Sequence, residues 1–183
     1  MEKKITKPKI EDLINELLDG EMKENAHDFV AWLRANKFGI STTSNGNSWK
    51  ATYKGKTVCR ILHMTKGWWS VENYPYVVLQ KHEELTKKIE ELIVRENMQD
   101  VIRTYLTARK CRRSVPRFWA KLCDGKADTF AGFKIELFEQ EFDNLCKYNA
   151  YFDNPGKKAV ECMKKICEFK KQNIIDKSVN NNE

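Results

Sequence analysis

The chain has 183 residues, of which 41% are hydrophobic and 32% charged, and its formal net charge is +7. That length can bury a substantial core without disulfides or metals, and the balance excludes a disordered or collagen-like chain. No apolar run approaches the roughly 20 residues needed to span a bilayer, and MEKKITKPKIEDL lacks the apolar centre of a signal peptide, so a cytoplasmic protein with no membrane partner is expected.

In chain order, Ile10, Leu13, Ile14, Leu17 and Leu18 recur at helical spacing, and Gly20 stands where that helix should stop. After a polar break, Asn25 is placed to cap a second helix with Ala26, Phe29, Val30 and Leu33 on its apolar face, ending near Asn36. From Phe38 to Tyr74 short runs rich in Val, Ile, Tyr, Thr and Trp are punctuated by Gly, Asn and Ser, which predicts a meander of three or four strands. In SWKATYKGK, Trp49, Ala51 and Tyr53 share one face and Lys50, Thr52 and Lys54 the other, with a hairpin turn at Gly55. In TVCRILHM the alternation blurs: Cys59, Ile61 and His63 fall on one face, and Val58, Arg60, Leu62 and Met64 on the other, leaving its register open. The adjacent pair Trp68 and Trp69 must leave opposite faces of a strand; Trp69 goes with Val71 to the core and Trp68 with Ser70 and Glu72 to the polar side.

A long helical pattern follows Pro75, with Leu85, Ile89, Leu92, Ile93, Val101, Ile102, Tyr105 and Leu106 on one stripe, as one helix or as two broken near Asn97. ARKCRRSVPRFWAKLCDGKADTFAG reads as a basic loop. FKIELF and EFDNLC predict two strands joined around Glu139 and Gln140. A last helix is expected to open with Asn154 as cap and Pro155 at its first position, and the tail 176–183 to be disordered. The expected fold class is α+β: an antiparallel β-meander covered by helices, followed by a long helix and a strand pair plus C-terminal helix. Residues 1–110 would carry the lead-in helices, meander and long helix, and 111–175 the basic loop, strand pair and last helix, the two sharing one core.

Four stretches, FVAWLRANK, NSWKATYKGKTVCRI, FKIELFEQEFDNLC and FDNPGKKAVECMKKICEFKK, carry the patterns NSWK-x-x-YKGK, FDN-x-C and NP-x(5)-E over about half the chain. In these the sequence resembles a group of small bacterial proteins to which no activity is assigned. The resemblance implies an α+β layout and a bacterial cytoplasmic origin. It also implies a C-x-x-C cluster before the strand pair, where this chain has only the separate Cys111 and Cys123.

With no secretion signal, the six cysteines are expected as reduced thiols. Zinc would require Cys111, Cys123 and Cys146 to converge with a histidine, although paired zinc ligands usually lie about two to four residues apart and Cys111 and Cys123 are much farther apart. No nucleophile elbow, phosphate loop, dinucleotide fingerprint or H-E-x-x-H pair is present, and Cys59 and His63 on one strand would stand about 13 Å apart. An enzyme would need an unrecognised site. Between Phe29 and Val71 there is no carboxylate, but there are Arg34, Lys37, Lys50, Lys54, Lys56, Arg60 and Lys66; a second basic stretch runs from Arg103 to Lys121.

The reading is therefore a non-catalytic binding protein whose aromatic and basic sheet surface takes a small molecule or protein partner. Trp49, Tyr53 and Trp68 would stack, and Lys50, Lys54 and Arg60 would supply charge. Single-stranded nucleic acid is the alternative, because aromatics beside cations on a sheet can stack bases and track phosphates.

Overall fold

The chain is described by a computed structural model over residues 8–43, 48–73, 83–108, 133–145 and 151–180. The predicted apolar spacing forms helix α1, Ile10–Leu17, with Ile10 and Ile14 buried. α1 stops at Leu17, before Gly20, and Gly20 instead opens α2, Gly20–Ala35, from the left-handed region at φ +47, where a side chain would be strained. Asn25 consequently lies inside α2 rather than capping it. Its buried amide donates to the Pro155 carbonyl at 3.2 Å. Ala26, Phe29, Val30 and Leu33 form the buried face, and α2 ends at Ala35 with Asn36 as its cap, near where its pattern predicts. Arg34 and Glu11, 2.6 Å apart, and His27 and Asn15, 3.0 Å apart, tie α1 to α2.

Strands β1 (Gly39–Thr42), β2 (Trp49–Tyr53), β3 (Lys56–Thr65) and β4 (Trp68–Glu72) form the expected antiparallel meander, and β7 (Tyr151–Asp153) adds a strand beside β4. Lys54 and Gly55, at φ +45 and +76, make the two-residue turn between β2 and β3 that right-twisted strands favour. The blurred alternation of β3 has a specific cause. Ala51 pairs with Cys59 but Thr52 pairs with Thr57, so Val58 is an extra residue on β3; a second shift lies between Leu62 and Thr65, opposite Ser70 and Trp68. Each bulge reverses the in-and-out order beyond it, so Val58 and Met64, which strict alternation groups with Arg60 on one face, are instead buried at 3% and 5% exposure while Arg60 is exposed.

One face of this sheet carries Trp49, Ala51, Cys59, Ile61, Trp69 and Val71, all buried, against α1, α2 and the last helix, α5 (Lys157–Asn180). The contribution of α5 is Val160, Met163, Ile166 and Cys167, all fully buried. Asn154 does not cap this helix, which starts at Lys157 with Val160 bonding back to the Gly156 carbonyl. Instead Asn154 sits at φ +41 and completes the sheet edge: its N–H donates to the Trp69 carbonyl, and its side-chain oxygen accepts from the Trp69 N–H, both at 2.8 Å. The expected disordered tail is helical as far as Asn180. Where this helix enters the tail, Gln172 donates to Asp176 at 2.8 Å, one turn on.

The chain divides into two compact units, Met1–Asn73 with Phe152–Glu183, and Tyr74–Tyr151, so the expected boundary at 110/111 is not where it separates. The physical reason is that α5 buries its apolar stripe on the first sheet. In the second unit the long helical pattern is two helices, α3 (Glu83–Arg95) and α4 (Gln99–Ala108). They break where Asn97 adopts φ +57 and the Met98 N–H reaches back to the Ile93 carbonyl, a Schellman stop. Strands β5 (Phe133–Leu137) and β6 (Gln140–Leu145) form the predicted hairpin, with Phe138 and Glu139 as the turn rather than Glu139 and Gln140. Arg103 holds that turn, donating to the Phe138 carbonyl at 3.1 Å with its guanidinium over the ring. No described helix is long and apolar enough to cross a membrane.

Candidate binding face

Ladder partners share a face, so the register of the sheet shows which expected site residues come together. Trp49 pairs with Ile61 on the helix-covered face and is 2% exposed, which leaves no indole face for a ligand. Tyr53 lies on that same face. Its ring packs 5.9 Å from Phe38, itself against Trp32, and the Lys171 ammonium of α5 stands 5.5 Å above it. These two aromatics are therefore separated from the cations expected beside them, because alternation sends Lys50 and Arg60 through the sheet to the opposite side.

On that opposite side a row runs across four strands: Ser41 pairs with Lys50, Lys50 with Arg60, and Arg60 with Glu72. Lys50 and Arg60 are exposed, and the neighbouring row, Gly39, Thr52 and Thr57, has no bulky side chain to cover them. Arg60 approaches Glu72 at 3.6 Å, so one cation of the row is partly balanced and Lys50 is not balanced within the ladder. Like charges directly opposite each other on a sheet are destabilising, and this cost is tolerated on the open face of the protein. Lys54 lies at the exposed turn beyond the row. Trp68 is on the Lys50 and Arg60 side but only partly exposed. Between it and the cations the face carries Leu62 and the buried Ser70, so the open region is its Lys50 and Arg60 end.

No family model, curated protein or solved structure matches the chain.

Across the sheet lies a buried polar cluster that the sequence reading did not identify. Lys170 of α5 donates to the carbonyls of Val58, at 3.0 Å, and Asn73, and to the Asn73 side-chain oxygen at 3.3 Å. The Cys167 thiol donates to that same oxygen at 3.6 Å, while the Asn73 amide donates to the Met163 carbonyl at 2.7 Å. The neighbouring Cys167 thiol and burial raise the Cys59 thiol well above the ordinary range. Burial pushes the Lys170 ammonium down, opposed by the two thiols and Glu72. The signal was present in the helical spacing: Val160, Met163, Cys167 and Lys170 fall on one stripe, so a lysine continues a buried face. Val58 offers its carbonyl where the bulge interrupts the ladder, which sequence alternation does not reveal.

Cys111, Cys123 and Cys146, the expected zinc candidates, lie outside the described residues. Among the described residues, no group of three or more His, Cys, Asp and Glu side chains is placed to hold a metal ion.

Proposed function

We propose that the protein is a non-catalytic binding protein, acting in the cytoplasm, whose open sheet face takes an anionic partner through Lys50 and Arg60. The observation that carries this reading is the direct pairing of two exposed cations across β2 and β3, beside the Gly39, Thr52 and Thr57 row that carries no bulky side chain. An anion placed over the pair relieves their mutual repulsion, so the electrostatic cost in the free protein becomes binding energy in the complex. Charge, rather than aromatic stacking, is the main contact. Trp49 and Tyr53 belong to the covered face and supply its packing instead. Single-stranded nucleic acid is the second reading, favoured by Trp68 standing on the same side as the cations. There it could stack one base beyond the phosphates.

Retention on immobilised heparin and on single-stranded DNA, measured across a salt gradient, tests the proposal. We expect retention that weakens steeply with salt and is lost in Lys50→Glu and Arg60→Glu, both of which change exposed side chains. Indifference to polyanions, or retention that both variants keep, sinks the reading. Loss of DNA retention with heparin retention intact in Trp68→Ala would select the nucleic-acid form.

A further inference from the structure

We propose, resting on the reading of the Lys50 and Arg60 face as a seat for an anion, that the sheet edge β1 docks an acidic, extended peptide of a protein partner as an added antiparallel strand. Among the described residues β1 pairs only with β2, so no strand lies along its outer side. Thr43 donates its N–H to the Ser48 carbonyl at 2.8 Å, and bonding alternates along an antiparallel ladder. Gly39 and Ser41 therefore turn their backbone groups toward β2, and Ile40 and Thr42 turn theirs outward. The two edges of the sheet are guarded unequally. Strand β7 is only three residues long, carries Asp153 and runs on into Pro155, all features that discourage pairing at an edge. Strand β1, Gly-Ile-Ser-Thr, has neither a charge nor a proline, and it pairs with β2 in unbroken register.

Charge selects the occupant. Arg60 turns to Glu72 on β4, 3.6 Å away, whereas no carboxylate stands opposite Lys50 in its row. Between Lys50 and the open edge lies only Ser41, whose short, exposed side chain leaves the way clear. Strands lie about 4.8 Å apart, so a strand added to β1 would run about 10 Å from the β2 backbone, a gap that a lysine and a glutamate side chain together span. Lys37, exposed just before β1, adds a second cation at that end. A second copy of the chain would bring its own Lys37 and Lys50 to the same edge and set like charge against like. Alternation also sets the pattern of the bound peptide: acidic residues opposite the exposed Gly39 and Ser41, and apolar ones opposite the half-buried Ile40 and Thr42.

The test titrates the full-length protein into a short fluorescent peptide in which glutamate alternates with valine, and follows anisotropy. We expect saturable binding that weakens several-fold in Lys50→Glu, while that variant gains affinity for a peptide alternating lysine with valine. Paired with Ile40 and Thr42, the valines aim their N–H groups at β1, and the glutamates aim theirs away. N-methylating the valines should therefore weaken binding by about ten-fold or more, and N-methylating the glutamates should not. Ile40→Pro, which removes an outward N–H and no bond to β2, should weaken it comparably while heparin retention is kept. The methylated peptides need no protein variant, so the test does not depend on that one folding. Equal binding of the two methylated peptides, or no binding of the parent peptide, overturns edge docking. Heparin retention that still depends on Lys50 and Arg60 then leaves the anion reading standing, and retention without that dependence removes both. A dimer in sedimentation that Ile40→Pro dissociates gives the edge to a second copy and overturns the peptide, as does binding of single-stranded DNA without binding of the peptide.

Discussion

The two faces of the five-stranded sheet are made from the same strands and differ in what each position must satisfy. The covered face is set by volume: Trp69, Ile61, Val71 and Trp49 fill the space beneath α1, α2 and α5, and each is 2% exposed or less. The opposite face at its open end is set by charge, with Ser41, Lys50, Arg60 and Glu72 in one row. Adjacent residues can therefore have unrelated roles. Packing constrains shape on the first face, whereas on the second it leaves side chains free to meet a partner.

The adjacent tryptophans offer the sharpest way to break this comparison. Trp69→Ala removes a fully buried indole and should cost about 3–5 kcal/mol, whereas Trp68→Ala, at a partly exposed position, should cost about 1 kcal/mol or less. Urea unfolding of the two variants measures the difference. Similar losses would mean that the sheet is packed equally on both sides and that the open face is a misreading.

The buried side of α5 should also be recognisable by its response to alkali. Burial pushes the Cys162 thiol from 9.0 up to about 12, so above pH 9.0 the unfolded thiol ionises while the folded one keeps its proton. The unfolded state then binds fewer protons, and stability falls across this window with a slope from this group approaching about 1.4 kcal/mol per pH unit. Cys59, also raised, acts with the same sign. Lys170 acts oppositely: its folded value is lowered, so the unfolded chain binds more protons and stability rises with pH until the ordinary lysine value of 10.5 is passed. Cys162→Ala should flatten the decline seen in denaturation midpoints between pH 9.0 and 12. A decline of equal steepness in that variant would show that the loss comes from elsewhere.

Much of this contrast was legible in the residues. Strict alternation in SWKATY assigned Trp49 and Lys50 to opposite faces, and the same rule correctly divided Trp68 from Trp69. The expected site nevertheless grouped Trp49, Tyr53, Lys50 and Arg60, although alternation already placed the first two opposite Lys50. The positions of Val58 and Met64 were not legible, because a bulge is set by how neighbouring strands pair and leaves no period of its own. Asn25 and Asn154 were assigned as caps from local chemistry, but distant partners, Pro155 and Trp69, engage both. Strand β7 was missed for a similar reason: Tyr151–Asp153 is only three residues long and is stabilised by the neighbouring strand rather than by its own propensity.

The smallest predicted effect gives the most direct reading of the open face. If Lys50 and Arg60 repel across the ladder, Lys50→Glu replaces a like-charge pair with an attractive one and should stabilise the protein by a few tenths of a kcal/mol, roughly 0.2–1. The gain should shrink as salt is added, because both side chains are exposed and their interaction is screened over about 8–10 Å at ordinary ionic strength. Urea midpoints of the parent and variant at low and high salt measure both quantities. A loss of more than about 1 kcal/mol would instead show that the Lys50 stem packs against its neighbours, making the residue part of the structure. A salt-sensitive gain accompanied by lost polyanion retention would mean that Lys50 is retained against the interests of stability, as a residue whose favourable interaction lies with a partner would be.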